Sequence, residues 1–318
     1  MRAVFLDYGS VAVDGDLDTG RLRAVLPGLE IHDATADGDV DARIAGATIV
    51  LGNQALITRA RIAANPQLRL VALTATGTNN VDLEAAREHG VAVCNIVDYC
   101  TASVVQHVFA VLLALTHRLR EYDRALKAGA WERTGGAPLP AFPIRELAGR
   151  TFGIVGYGTL GRGVARVAEA FGMQVAIANR AGGTPQAGRL ALESLLPRVD
   201  VLSLHCPITP ATRRMIGARE LGLMKPDAVL INTARGGLVD GSALAAALRA
   251  GRLGGAAIDV LDEEPPVHGN PLLAPDLANL IATPHTAWAA REARQRAIDE
   301  LAANTEAFLR GERRNRVA

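Results

Sequence analysis

The sequence predicts an α/β fold built on parallel sheets, and three observations carry that prediction. Short β-rich apolar runs alternate with segments of helical periodicity along nearly the whole chain. In mid-chain the glycine pattern GYGTLG, from Gly156 to Gly161, stands between an apolar run and an amphipathic segment. A second β-rich run, 173–178, follows that segment and completes a βαβ unit.

The elements follow in order. Runs at 3–6, 48–51, 70–74 and 91–95 are strand candidates, with a helix at 81–89 between the last two. A long apolar helix is predicted over 102–119, and a loop rich in Gly and Pro, 135–143, leads to the strand 151–155. Val164, Val167, Ala168 and Phe171 then recur at helical spacing. Strands at 200–205, 228–232, 255–260 and 280–283 come next, with helices at 242–250 and 289–309 among and after them. The polar stretch 311–316, GERRNR, reads as a solvated end.

The glycine pattern has a chemical reading. Gly156 allows a tight turn, Gly158 lets backbone approach a pyrophosphate, and Gly161 lets the helix pack closely on the strand. Tyr157, Thr159 and Leu160 complete the turn, and phosphates would sit at the helix N-terminus, where free N–H groups and the dipole favour anions. This is the arrangement of a Rossmann dinucleotide-binding fold. The next strand ends at Asn179 and Arg180 rather than at a carboxylate. The cofactor is therefore NADP or NAD, with NADPH favoured, because no acid repels a 2′-phosphate and Arg180 can pair with one. The competing reading leaves Arg180 in solvent and Asn179 on the ribose hydroxyls of NADH.

Composition narrows the class. The chain of 318 residues is long enough for two domains, and 34 basic against 33 acidic residues leave a formal charge of +1. That balance gives no reason to expect nucleic acid or an anionic membrane as partner. No apolar run is long enough to span a bilayer, and Asp7 interrupts the N-terminus before a signal core forms, so a cytoplasmic protein is expected. Cys94, Cys100 and Cys206 are odd in number and lack metal-ligand spacing, so neither a disulfide framework nor a bound metal is expected.

Open α/β sheets bind ligands outside the carboxyl ends of their strands. There the strand 229–232 runs into Arg235, the strand 256–260 into Glu263 and Glu264, and the strand ending at Thr283 into His285. An arginine, a carboxylate and a histidine suit the reduction of a keto acid: the arginine clamps a carboxylate, the histidine supplies a proton, and the carboxylate orients the imidazole. Spacing alone leaves open which glutamate is used. His107 is a second possible proton donor.

Five strings in order, GYGTLG, LHCPITPATRRMI from Leu204, INTARGGLVD from Ile231, IDVLDEEPP from Ile258 and TPHTAW from Thr283, closely resemble the D-2-hydroxyacid dehydrogenase family over almost the whole chain. The resemblance implies a Rossmann dinucleotide-binding domain, 100–287, inserted in a smaller flavodoxin-like α/β substrate domain made of 1–99 and 288–318. It implies that Arg235 binds the 2-oxo acid, that Glu264 is the partner of the proton donor His285, and that Glu263 is a bystander. The string TATGTNNVD from Thr74 resembles the family's substrate loop, whose N–H groups, here those of Thr76 and Gly77, receive the carboxylate. Cys206, Pro207 and Thr212 would lie near the adenosine, and Thr233, Ala234, Arg235, Asp259 and His285 toward the nicotinamide.

Two positions depart from the family pattern. Asn53 stands in the segment that faces substrate, where some members carry arginine or lysine, and Gln106 stands where many carry glutamate. Trp288, with Trp131 and Tyr99, is a candidate for the pocket wall and equally for core or interface packing. The strings GTNNVD, SVVQH, AEAFGM and TPHTAW are most similar to bacterial glycerate dehydrogenases and hydroxypyruvate reductases. Small 2-oxo acids, glyoxylate and hydroxypyruvate, are the implied substrates, reduced to glycolate and D-glycerate. A short phosphoglycerate dehydrogenase-like enzyme and a nucleotide-sensing corepressor are the alternatives. A homodimer is expected through the long helix and the loop around Trp131.

Overall fold

The computed structural model describes residues 1–135 and 137–318. The loop expected at 135–143 therefore includes one residue, Gly136, outside the described residues. The chain divides into two units, Met1–Cys100 with Trp288–Ala318, and Thr101–Ala287.

The first unit is a five-stranded parallel sheet. Its strands are β1 Ala3–Phe5, β2 Glu30–Ile31, β3 Ile49–Gly52, β4 Leu70–Leu73 and β5 Ala92–Cys94, in the order β2-β1-β3-β4-β5. Every residue of β1, β3, β4 and β5 is buried, as a parallel sheet covered on both faces requires. Alternation along the strands divides the core. Phe5, Leu51 and Leu70 pack with Leu22 of the helix Gly20–Val25, with Leu26 just past its end, and with Ile298 and Leu301 of the C-terminal helix Arg291–Leu309. Val4, Val50, Val71 and Val93 pack on the other face with Ile44, Ile62 and Ala85. Those three come from the helices Val40–Ile44, Arg59–Ala63 and Leu83–Glu88. The strand order is the flavodoxin-like one.

The stretch read as a solvated end is part of this unit. The N–H of Val317 donates to the Val93 carbonyl at 2.8 Å, and the N–H groups of Val93 and Asn95 donate to Ala318 and Asn315 carbonyls, each at 3.2 Å. The tail thus covers the outer edge of β5, whose backbone groups would otherwise stand unpaired. Its charged composition hid a role carried by its backbone.

The second unit holds β6 Thr151–Val155, β7 Gln174–Ala178, β8 Arg189–Leu190, β9 Val201–Leu204, β10 Val229–Asn232, β11 Gly255–Ile258 and β12 Leu280–Ala282. All pair in parallel, in the order β12-β11-β10-β9-β6-β7-β8. The order reverses between β6 and β9, the switch point at which Rossmann sheets bind ligands. The predicted α/β class and the Rossmann sheet are therefore what the chain forms. The two-residue strands β2 and β8 were missed, because two residues carry no period.

The apolar helix expected over 102–119 is shorter. It spans Thr101–Thr116, and Arg118, in the left-handed region at φ 55°, starts a second helix, Leu119–Lys127, bent from the first by 54°. Val104, Val108, Phe109 and Leu112 are buried, with the Phe109 ring stacked at 5.9 Å on Phe152 and 5.4 Å on Phe171. Leu119, Leu126, Trp131 and Ile144 are exposed. Among the described residues no single helix is long and apolar enough to cross a membrane.

Candidate active site

The glycine turn of the second unit is shaped for a close ligand. Gly156 has φ +95°, and a Cβ there would lie 2.5 Å from the His205 carbonyl carbon at the end of β9. A Cβ on Gly161 would lie 2.1 Å from the Gly156 carbonyl oxygen, so only glycine lets the helix Thr159–Ala170 start this close to β6. A Cβ on Gly158 would meet nothing within 4 Å. Open space therefore faces the first turn of a helix whose N–H groups favour an anion. Two buried atoms nearby in sequence to these strand ends, His205 Nδ1 and Thr233 Oγ1, have no hydrogen-bond partner among the described residues. Unpaired groups of this kind call for a ligand or water. The residues present fit a dinucleotide.

The strand-end pair is arranged unequally. Asn179 Oδ1 accepts the Gln186 N–H at 3.0 Å and so closes the loop between β7 and β8. Arg180 is exposed, and its guanidinium has no hydrogen bond or ion pair among the described residues. A second guanidinium, missed in the sequence, stands nearby: Arg189 on β8 lies with Cζ 5.9 Å from the centroid of the Tyr157 ring. The signal that would have found it is the β8 pairing, which no local pattern announces.

The residues expected near the adenosine lie on the loop that follows β9. Burial pushes the Cys206 thiol up, which suits a wall residue rather than a nucleophile. Thr212 Oγ1 accepts the Thr209 N–H at 2.7 Å and donates to the Pro207 carbonyl at 2.8 Å, fastening the loop after β9. His205 is pushed down to about 4 by burial, so its ring is neutral near pH 7; Nε2 lies 2.8 Å from Ser203 Oγ.

The structure brings Arg235, Glu264 and His285 together. Asn232, fully buried at the end of β10, accepts the Ala234 N–H through Oδ1 at 3.1 Å and donates through Nδ2 to the Arg235 carbonyl at 2.9 Å. This staples the turn carrying Arg235. A Cβ on Gly236 would lie 2.0 Å from the Leu261 carbonyl carbon, so that turn presses directly on the loop carrying Glu264. Glu264 Oε1 accepts the Leu261 N–H at 2.7 Å, and Oε2 lies 2.6 Å from His285 Nδ1. Burial pushes the Glu264 carboxyl up, but the hydrogen bonds from His285 and Leu261 and the charges of His285 and Arg235 outweigh it and hold it below its ordinary value. The carboxylate stays ionised. The glutamate left open by spacing is thereby assigned a partner: Glu263 instead holds His268 Nδ1 at 2.6 Å.

Asp259 shapes the histidine's loop. It is 2% exposed; Oδ1 accepts Thr283 Oγ1–H at 2.6 Å and the Thr286 N–H at 2.9 Å, Oδ2 accepts the Ala287 N–H at 2.9 Å, and its carbonyl accepts the His285 N–H at 2.7 Å. His285 is held at φ +54°, a conformation that this anchoring imposes. His107 Nε2 lies 3.2 Å from Thr283 Oγ1, on the same anchor rather than on Glu264.

In the first unit, Asn53 follows β3 and donates through Nδ2 to Ser10 Oγ at 3.1 Å. Thr76 Oγ1 donates to the Ile96 carbonyl at 2.8 Å, and Asn95 Nδ2 donates to the Thr76 carbonyl at 2.8 Å. The backbone N–H groups of Thr76 and Gly77 donate to no acceptor among the described residues. Trp288 stands 6.3 Å from the Tyr99 ring and packs on that unit's core, and Trp131 donates through Nε1 to the Ala137 carbonyl.

Comparison with known proteins gives this geometry its context. Residues 109–287 match the family model described as D-isomer specific 2-hydroxyacid dehydrogenase, NAD binding domain. The chain is 43% identical to a glycerate dehydrogenase of Methylorubrum extorquens over 277 residues, 87% of each chain. It is 36% identical to a hydroxypyruvate reductase of Blautia hydrogenotrophica over 98% of each. A solved acyclic imino acid reductase, Bsp5, in complex with NADPH and D-Arg, superposes with a TM-score of 0.86 over 100% of both chains at 28% identity. The chain belongs to the D-isomer specific 2-hydroxyacid dehydrogenase family and is an oxidoreductase with an NAD-binding domain.

Proposed function

We propose that the protein reduces small polar 2-oxo acids, glyoxylate and hydroxypyruvate, to D-2-hydroxy acids, and that it prefers NADPH. The observation that carries the reaction is the meeting of Arg235, Glu264 and His285 at neighbouring strand ends, with Glu264 Oε2 2.6 Å from His285 Nδ1. Arg235 binds the substrate carboxylate with its planar fork and polarises the carbonyl. Glu264 accepts a hydrogen bond from Nδ1–H and fixes the ring, leaving Nε2 to deliver a proton to the carbonyl oxygen. The nicotinamide, when bound, supplies the hydride for the carbonyl carbon. Asp259 and Thr283 hold the histidine's loop, and in the first unit the N–H groups of Thr76 and Gly77, with Asn53, suit an anionic polar substrate. On this reading the five-stranded unit is the substrate domain. The names of the two bacterial relatives support the substrate class.

The preference for NADPH rests on Arg180, exposed and without a competing acid, beside Asn179. A charge-assisted bond to a 2′-phosphate is worth about 1.5–3 kcal/mol, or roughly one to two decades of affinity. The test is catalytic efficiency with NADPH and NADH against a panel of 2-oxo acids, before and after Arg180→Ala. A preference for NADH that survives the substitution rejects the cofactor choice, and no turnover with any 2-oxo acid rejects the reaction. A homodimer built on the exposed Leu119, Leu126, Trp131 and Ile144 belongs to the same reading. Light scattering that gives a monomer mass at micromolar concentration rejects it.

A further inference from the structure

Asp7 is buried, two residues beyond β1, and its carboxylate does not cap the 3-10 turn Tyr8–Ser10 that it precedes. It reaches instead to the loop after β3. Oδ1 accepts the Asn53 N–H at 2.8 Å, and Oδ2 accepts the N–H groups of Gln54 at 2.6 Å and Ala55 at 2.9 Å. Three consecutive N–H groups around one carboxylate form an anion nest filled by the protein's own side chain. Gly52 leaves room for this approach, since a Cβ there would lie 3.3 Å from Asp7 Oδ1.

The same segment is held from its other side. Asn80 Nδ2 donates to the carbonyls of Asn53 at 3.2 Å and Ala55 at 3.1 Å. The Asp7 carbonyl accepts the Ser10 N–H at 3.0 Å, which closes the turn that brings Ser10 Oγ to within 3.1 Å of Asn53 Nδ2. One residue thus governs both the backbone of Asn53 and, through Ser10, its side chain. A buried carboxylate held by three N–H groups is a rigid anchor.

We propose that Asp7 is a positioning residue for substrate selection, fixing the Asn53 turn and the Ser10–Asn53 pair so that a neutral amide and hydroxyl recognise a hydroxyl on C3 of the 2-oxo acid. This rests on the reading that Asn53 meets substrate. A neutral donor and acceptor pair suits a hydroxyl and supplies no charge for a phosphate or second carboxylate there. Hydroxypyruvate carries such a hydroxyl and glyoxylate has no C3. A loosened turn therefore harms the larger acid more.

The experiment compares kcat and KM for hydroxypyruvate and glyoxylate in wild type, Asn53→Ala, Asp7→Asn, Asn80→Ala and the pair Asp7→Asn with Asn53→Ala. Asp7→Asn keeps the shape but replaces an acceptor with a donor facing N–H groups. It should lower the selectivity for hydroxypyruvate over glyoxylate about tenfold, mainly through KM, as expected for loss of one well-made hydrogen bond. The double variant should be no less selective than Asn53→Ala alone. Equal losses for both acids, or multiplying losses in the double variant, overturn the proposal. Where Asp7→Asn does not fold, Asn80→Ala loosens the same turn from its carbonyl side and should shift selectivity in the same direction; an unshifted ratio there also overturns it. Unchanged selectivity in Asn53→Ala removes the Asn53 reading and this proposal with it, whereas a wild type inert toward both acids removes the reaction itself.

Discussion

At the carboxyl ends of the seven-stranded sheet, short stapled turns present ionic side chains: Arg235 held by Asn232, and His285 paired with Glu264 on a loop anchored by Asp259. At the carboxyl ends of the five-stranded sheet the charge is turned inward. There Asp7 is buried under backbone N–H groups, and the loops present a neutral amide at Asn53 and N–H groups at Thr76 and Gly77 that meet no acceptor among the described residues. Both ends favour an anion, one through formal charge and the other through dipoles. Charge acts in the step where a proton moves, and fixed dipoles suffice where a ligand is only seated. Substitutions of the His285–Glu264 pair should therefore cut turnover, and those of groups that only seat the ligand, Arg235 at the first end and the loops at the second, should alter KM and selectivity.

The largest expected effect tests that division directly. His285→Ala should lower kcat for 2-oxo acid reduction by roughly two to four orders of magnitude while nucleotide still binds, because on the proposed reading it removes the proton donor and leaves the cradle around Gly156 intact. Rates in pre-steady state with cofactor titrated by fluorescence separate the two. A variant that keeps most of its turnover would place the proton donor elsewhere.

Arg235→Lys comes next. It preserves the charge but loses the planar fork, and the Asn232 staple holds only the backbone of that turn. The KM for the 2-oxo acid should rise by roughly one to two decades, the worth of a charge-assisted bond. An equal KM in a folded variant would mean that Arg235 does not seat the substrate carboxylate, which breaks the comparison at its centre.

How far each end was legible in the sequence follows the same division. Arg235, Glu264 and His285 lie in strings such as INTARGGLVD and TPHTAW, where a strand and the turn that ends it are contiguous, so their convergence follows from parallel strand order once the fold is known. The Rossmann turn was legible for the same reason. Asp7 and Asn80 were not, because their partners are 46–48 and 25–27 residues away and no periodicity marks a carboxylate that bonds another loop's backbone. Arg189 meets Tyr157 only through a two-residue strand. The helix break at Arg118 lies in a run without glycine or proline, and the tail's pairing with β5 depends on backbone groups that charged side chains disguise. Asp259 was legible as a strand-end residue, but its hold on Thr283, Thr286 and Ala287, which anchors the histidine's loop, was not, because those partners lie 24–28 residues away.

A smaller effect comes from Glu264→Gln, whose value lies in its pH dependence. The Glu264 carboxyl is held below its ordinary value, so its ionised form persists as pH falls and is lost only below the usual carboxylate range. Across neutral and mildly acid pH the wild-type pair is therefore intact. Removing the carboxylate takes away the charged group that Nδ1 lies against, so kcat/KM should fall about tenfold near neutral pH, and the acid limb that Glu264 protonation gives the wild type should be missing from the variant's profile. The measurement is kcat/KM against pH for both proteins. Coincident profiles would separate His285 from Glu264 in function although they touch.

The smallest expected effect concerns stability, and it contrasts two histidines at the same sheet end. His285 is partly exposed and has a carboxylate, whereas burial pushes His205 down to about 4 and its Nδ1 has no partner among the described residues. In the unfolded chain that imidazole returns to about 6.5. Between the two values the unfolded state binds more protons, so stability rises with pH and falls as pH drops from about 6.5 toward 4. The full difference is at most about 3.5 kcal/mol, at roughly 1.4 kcal/mol for each unit. His205→Asn keeps a polar group beside Ser203 but cannot titrate, so its unfolding midpoint should depend less on pH over that window. Thermal unfolding of both proteins from pH 7 to pH 4, without cofactor, makes the comparison. Parallel curves would move the acid sensitivity away from His205. A flattened variant curve would place a titrating cost of folding in the unit that carries the ionic site, the unit where Asn232, Asp259 and Glu264 already hold charge and backbone in fixed positions.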